Sequence, residues 1–116
     1  MFVGNSILGR GVRIGSGAIV ANRRFDQDTI RLGSSKIGVS SGSEFAGAII
    51  GDYCRLGANA VSNPGTLIGP FTWINALVNC YGFIPRAKMV SAISELAMTD
   101  KSAIPLQSGD RCYEKT

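Results

Sequence analysis

Histidine is missing from this 116-residue chain. That excludes Ser-His and Cys-His nucleophilic pairs and every His-ligated metal site. A general base would have to be a carboxylate, Lys, Tyr, Cys or water, or come from elsewhere. Charge is also thin: 17 % of residues are charged, with a net charge of +4. The twelve basic residues are scattered, only Arg23 and Arg24 being adjacent. A nucleic-acid binder presents a basic stripe interleaved with aromatics, so no nucleic-acid partner is expected. The mild positive bias suits an anionic small molecule, such as a phosphorylated one. Cys54, Cys80 and Cys112 form no CxxC pair, which excludes a zinc ribbon and a thioredoxin-like motif, and they read as free thiols in a reducing compartment. The amino terminus has no basic-then-apolar leader, and no apolar run approaches the length of a membrane span. A single cytoplasmic domain without a membrane partner or a metal is expected.

What the chain does have is glycine, 15 residues of it, and a beat of six. From Leu8 it divides into LGRGVR, IGSGAI and VANRRF. A short step earlier stands VGNSI, from Val3. The beat returns as IGDYCR from Ile50, then LGANAV, SNPGTL, IGPFTW and INALVN. Five of these eight hexads have Gly in second place. A period of six fits neither a helix nor simple strand alternation. It fits a flat prism, in which each hexad is one side and three sides make an eighteen-residue coil. The opening aliphatic points inward and stacks on its counterpart one coil later, Ile50 over Ile68 and Leu56 over Ile74. The small residue beside it is expected to let the backbone turn the corner. Stacking supplies a core that no single repeat can build. The competing reading is a Gly-rich β-sandwich with accidental periodicity.

VANRRFDQDT, residues 20–29, ends the beat. Asp26 falls where the next inward aliphatic belongs, and a buried, unpaired carboxylate is very costly. The chain is therefore expected to leave the prism over residues 26–48. Within that excursion TIRL and KIGV alternate around Gly33-Ser34-Ser35, which predicts a β-hairpin. Long excursions from a regular fold tend to be functional.

The repeat resembles the left-handed β-helix of hexapeptide acyltransferases. The stretch FVGNSILGRGVRIGSGAIVANRRFD, with GAIIGD at 47–52 and the later PGTLIGP, resembles the carboxy-terminal domain of bifunctional sugar-1-phosphate nucleotidylyltransferase/acetyltransferases, the archaeal type above all. The shared features are the ANxRFD motif, the hairpin, GAIIGD and the shortened step at VGNSI, over roughly residues 2–80. This implies an all-β, left-handed parallel β-helix that assembles as a homotrimer, with acetyl-CoA and an amino-sugar phosphate bound between subunits.

Position by position, the resemblance puts Asn22 on a residue that meets both substrate and acetyl donor. An amide there can donate to a carbonyl oxygen and accept from an amine. Arg13, which falls on a family Asn, and Arg31 in the hairpin would orient substrate. Ser16, Arg23, Ala58 and Ala76 fall on positions near the acetyl donor. Phe2 replaces a substrate-binding Tyr, and Asp28 replaces a basic residue. Arg23, Arg24 and Arg31 read equally as a solvated loop face, and Asn22 as a corner residue accepting a left-handed backbone. The family's general-base His lies upstream of the position of Met1, so no catalytic residue is assigned. Either the chain is part of a longer enzyme or it is a relative that has lost chemistry. A hexapeptide-repeat carbonic anhydrase needs His ligands and is excluded.

The prism is expected to occupy residues 1–81 and a helix and tail residues 82–116. Met89, Ile93, Leu96 and Ala97 recur at helical spacing, predicting a short amphipathic helix over 87–98 that covers the last coil or a partner. Residues 99–116 read as extended or loose. Two functions remain open. One is transfer of acetyl from acetyl-CoA to an amino-sugar-1-phosphate. The other is a non-catalytic trimerisation or regulatory module.

Overall fold

A computed structural model describes residues 1–33, 38–91 and 98–100. Every regular element in it is a strand. The first coil consists of β1 (Phe2–Val3), β2 (Ile7–Leu8) and β3 (Arg13–Ile14). The second starts with β4 (Ile19–Val20), leaves for the antiparallel hairpin β5 (Arg31–Leu32) and β6 (Val39–Ser40), and resumes with β7 (Ile49–Ile50) and β8 (Arg55–Leu56). The third is β9 (Val61–Ser62), β10 (Leu67–Ile68) and β11 (Trp73–Ile74). The fourth is β12 (Asn79–Cys80), β13 (Phe83–Ile84) and β14 (Lys88–Val90), after which β15 (Met98–Asp100) runs back along β14.

Stacking these coils produces three parallel faces. The first face is β1-β4-β9-β12 and the second is β2-β7-β10-β13. The third is β3-β8-β11-β14, with β15 on its edge. This is the parallel β-helix expected from the six-residue beat, and it is consistent with the left-handed form that the resemblance implies. Ile68 pairs with Ile50 and Ile74 with Leu56, the stacking that the period requires. Val20, Ile50, Ile74, Ile84 and Val90 are each no more than 2 % exposed and form the axial core with Leu56, Ile68 and Cys80. Each fully buried aliphatic contributes about 1.5–3 kcal/mol. Ser62 stands between Val20 and Cys80 in the column of the first face, so the interior has one polar rung.

The corners work differently from the expectation. In the full six-residue steps the left-handed backbone recurs three residues after the inward residue, at Gly11, Gly17, Tyr53, Asn59, Gly65, Phe71, Leu77 and Ala87. The second-place glycines are not among the left-handed residues. They are small because the next coil lies directly against them: a Cβ on Gly57 would stand 2.4 Å from the backbone nitrogen of Ala76. Buried Thr side chains close the corners. The Thr66 hydroxyl donates to the Asn63 carbonyl at 2.6 Å, and that of Thr72 to the Pro85 carbonyl at 2.9 Å.

The helix expected over 87–98 is corrected at both of its ends. Lys88–Val90 and Met98–Asp100 are paired strands, and residues 92–97 lie outside the described ones. The reason is register. Ile84 follows Cys80 after a shortened step, and Val90 then falls six residues on, so Ile84 lands on Ile68 and Val90 on Ile74. Stacking on an existing coil outweighs a weak helical periodicity, since intrinsic propensity is readily overridden by tertiary context.

Candidate functional site

The hairpin leaves the prism at the edge between the first and second faces. Ile30, 1 % exposed, anchors it: its N–H donates to the Ser43 carbonyl, and the Ser41 N–H donates to its own carbonyl. The Gly33 N–H donates to the Gly65 carbonyl and ties the hairpin to the third coil. Asp26 lies outside in solvent, where Arg24 holds it through two hydrogen bonds, at 2.9 and 2.5 Å. That hydrogen bond and the Asp28 N–H keep the Asp26 carboxyl below the usual carboxylate range.

At the root of the hairpin, Asn22 Nδ2 donates to Asn5 Oδ1 at 2.7 Å, and the Asn22 carbonyl accepts from the Ala46 N–H. The Asn22 amide lies over Gly4, next to the Phe2 ring, where a Cβ would be 2.5 Å from Nδ2. Asn22 does not carry the left-handed backbone; Asn5 does, with φ 47. Asn22 therefore holds its place through its side chain. Beside it the Arg23 guanidinium sits 4.7 Å over the Phe45 ring. A groove of about 520 Å³ follows, lined by Arg23, Arg24, Phe25, Asp26, Asn63 and Pro64.

Ser16, Ala58 and Ala76 gather at a different edge, between the third and first faces. The Asn59 N–H donates to the Ser16 carbonyl and the Leu77 N–H to the Ala58 carbonyl, so the three corners stack directly. Arg13 borders the same edge as an outward rung of the third face, in register with Arg55. Arg31 stays with the hairpin, where its guanidinium donates to the Gly38 carbonyl. The seven sequence-derived candidates thus fall into an Asn22–Arg23 group, a Ser16–Ala58–Ala76 group with Arg13, and a separate Arg31. The first face, with outward rungs Phe2, Ile19, Val61 and Asn79, lies between the two groups.

Sequence reasoning passed over Asn5, Phe45, Arg55 and Trp73. The signal for Arg55 and Trp73 was available, since both stand immediately before the inward residue of their rungs, as Arg13 does. Asn5 reaches Asn22 through the stacking of β1 on β4, before the hairpin begins. For Phe45 there was no signal, because only the return of the hairpin brings it to Arg23. Among the described residues no group of three or more His, Cys, Asp or Glu side chains could hold a metal ion, and no helix is long and apolar enough to cross a membrane.

The class defined by this fold is the hexapeptide-repeat β-helix. No protein-family model matches the chain. It is 36 % identical over 80 residues to a bifunctional sugar-1-phosphate nucleotidylyltransferase/acetyltransferase of Sulfurisphaera tokodaii, a match covering 67 % of this chain and 20 % of the relative. It is 37 % identical over 79 residues to the bifunctional protein GlmU of Methanococcus aeolicus, covering 68 % of this chain and 18 % of the relative. To GlmU of Methanococcus maripaludis it is 33 % identical over 100 residues, 86 % of this chain and 24 % of the relative. The chain is a homologue of these bifunctional nucleotidylyltransferase/acetyltransferases and spans about a fifth of their length.

Proposed function

We propose that this chain is the acyl-transfer module of a sugar-phosphate enzyme, transferring acetyl from acetyl-CoA to the amine of an amino-sugar-1-phosphate. The observation that carries the reading is Asn22. In a stretch homologous to bifunctional acetyltransferases, its side-chain amide is held by Asn5 and its backbone carbonyl by Ala46, in the residue next to Arg23, which lines a groove large enough for a small ligand. In the reaction the amine nitrogen attacks the thioester carbonyl carbon, the carbon–sulfur bond breaks, and the thiolate leaves with the bonding pair. The ammonium proton passes to a base or to water. The Asn22 amide can donate to the carbonyl oxygen as negative charge grows there, a contribution that requires a donor fixed in advance. Arg23 borders the same groove, and Arg13 and Arg31 supply cations for the sugar phosphate. The small side chains of Ser16, Ala58 and Ala76 leave room along their edge for the donor's pantetheine arm.

In this reading three copies assemble, with sites between them. Two features support it. The outward rungs Ile7, Ile49, Leu67 and Phe83 make the second face an apolar column, and Phe2, Ile19 and Val61 continue that character onto the first. The two groups of candidate residues border opposite edges of the first face, so a neighbouring copy packed there would bring them together. Positioning alone lowers a barrier by up to roughly 7–11 kcal/mol, whereas a general base adds about 10²–10⁴-fold. With no imidazole, the chain by itself is expected to bind both substrates and to turn over slowly.

The absence of His and the apolar outer columns also favour a second reading, a non-catalytic assembly module. Thermal unfolding with and without acetyl-CoA separates the two, combined with thiol release in the presence of glucosamine-1-phosphate. A ligand that binds only the native state raises the midpoint by mass action. A higher midpoint with slow thiol release supports acyl transfer. A trimer indifferent to acetyl-CoA overturns it in favour of assembly.

A further inference from the structure

The third face is chemically unlike the other two. Its outward rungs are Arg13, Arg55, Trp73 and Met89, one per coil and in strict register. Adjacent strands lie about 4.8 Å apart, and like charges on facing rungs repel. Arg13 and Arg55 bring two cationic side chains to neighbouring rungs of one face. Arg55 is half-buried, and its guanidinium lies 5.0 Å over the Trp73 ring, a cation–π contact that orients it. Next to this ladder Gly15 and Gly57 have no side chains, so a shallow groove of about 330 Å³ runs past Arg13, Arg55 and Trp73 to Ala76.

We propose that this groove is a phosphate-binding site, in which Arg13 and Arg55 together hold one phosphate group and Trp73 is the positioning residue that orients Arg55. Arginine suits such a site because its planar fork meets phosphate oxygens bidentately, which the point charge of lysine cannot do. The groove opens onto the edge where Ser16, Ala58 and Ala76 stack. Under the acyl-transfer reading, the phosphate would belong either to the nucleotide end of the acyl carrier or to the sugar-1-phosphate. The ligand's identity rests on that reading; the site itself rests on the register and the groove.

The test is calorimetric titration of the full chain with inorganic pyrophosphate, coenzyme A, pantetheine and glucosamine-1-phosphate. Arg13→Ala, Arg55→Ala and Arg55→Lys are compared with Arg10→Ala, which removes a charge from another edge. Affinity for pyrophosphate is expected to fall about tenfold or more in both alanine variants, to recover only partly with lysine, and to be unchanged in Arg10→Ala. Trp73→Leu should weaken binding less, with recovery in Trp73→Phe, an outcome not expected of a Trp73 that serves only to fill space. Loss confined to coenzyme A, with pantetheine unaffected, assigns the phosphate to the carrier; loss confined to glucosamine-1-phosphate assigns it to the sugar. Wild-type affinity in Arg13→Ala and Arg55→Lys, or equal loss in Arg10→Ala, overturns the site. Pyrophosphate binding through Arg13 and Arg55 without affinity for coenzyme A or the sugar phosphate keeps the site and rejects acyl transfer.

Discussion

Gly57 lies so close beneath Ala76 that a single added carbon would stand 2.4 Å from the Ala76 nitrogen. The contact joins the second and third coils at the edge that also carries Ser16 and Ala58. Gly57→Ala must push one backbone away from another rather than move a flexible side chain. It should cost about 3 kcal/mol, the upper end of the usual range for overpacking. Gly42→Ala, where nothing lies within 4 Å but φ is +73, should cost only the left-handed strain, about 1–2 kcal/mol. Equilibrium denaturation of the two variants measures the difference, and equal costs would contradict tight stacking of the coils.

Ile50 and Ile49 are neighbours in the chain with opposite duties. Ile50 is 1 % exposed on the prism axis, so Ile50→Ala should lose about 2–5 kcal/mol of stability. Ile49 points outward on the apolar second face. Ile49→Lys should leave the coil folded, with unchanged far-ultraviolet circular dichroism, while lowering the mass in sedimentation if copies pack on that face. An unchanged mass would show that copies do not pack on that face.

Cys80 titrates against its surroundings. Burial pushes its thiol from the ordinary 9.0 to about 11, with the neighbouring Ser62 hydroxyl acting weakly in the other direction. The folded pKa lies above the unfolded one, so the stabilisation is complete below about pH 9 and is lost as pH rises towards 11. The loss should reach about 2–3 kcal/mol. Urea midpoints across that window should fall more steeply in the wild type than in Cys80→Val. Parallel curves would show that Cys80 is not the group responsible.

Asn22→Ala removes the donor held by Asn5 from a solvent-facing edge. The unfolding midpoint should move little, whereas acetyl transfer should fall about 10–100-fold, the effect of losing one well-placed hydrogen bond. Single-turnover thiol release reports this. If stability drops and transfer does not, Asn22 is a structural clasp and the functional reading is wrong at its centre.

The fold was legible because its determinants are local and repeated. An aliphatic every sixth residue sets the axial stacking, and Asp26 marks the exit because no carboxylate can take the inward place unpaired. Six-residue counting also identified Ile50, Leu56, Ile68 and Ile74 as core and placed their partners correctly. It lost the fourth coil, because the shortened step from Cys80 to Ile84 breaks the count while the stacking absorbs it, and Met89 was then read as part of a helix over 87–98. It also misread the second-place glycines, whose need is not their own backbone angle but the chain one coil above. Proximity across the hairpin was beyond any linear reading. Arg23 meets Phe45 only after a long excursion folds back. In the same way Arg13 and Arg55 become neighbours although 42 positions separate them. Periodicity in the chain specifies what stacks inside the prism, since burial acts on each repeat alike. Which outward side chains share an edge depends on where a coil is shortened or interrupted, and only the tertiary structure decides that.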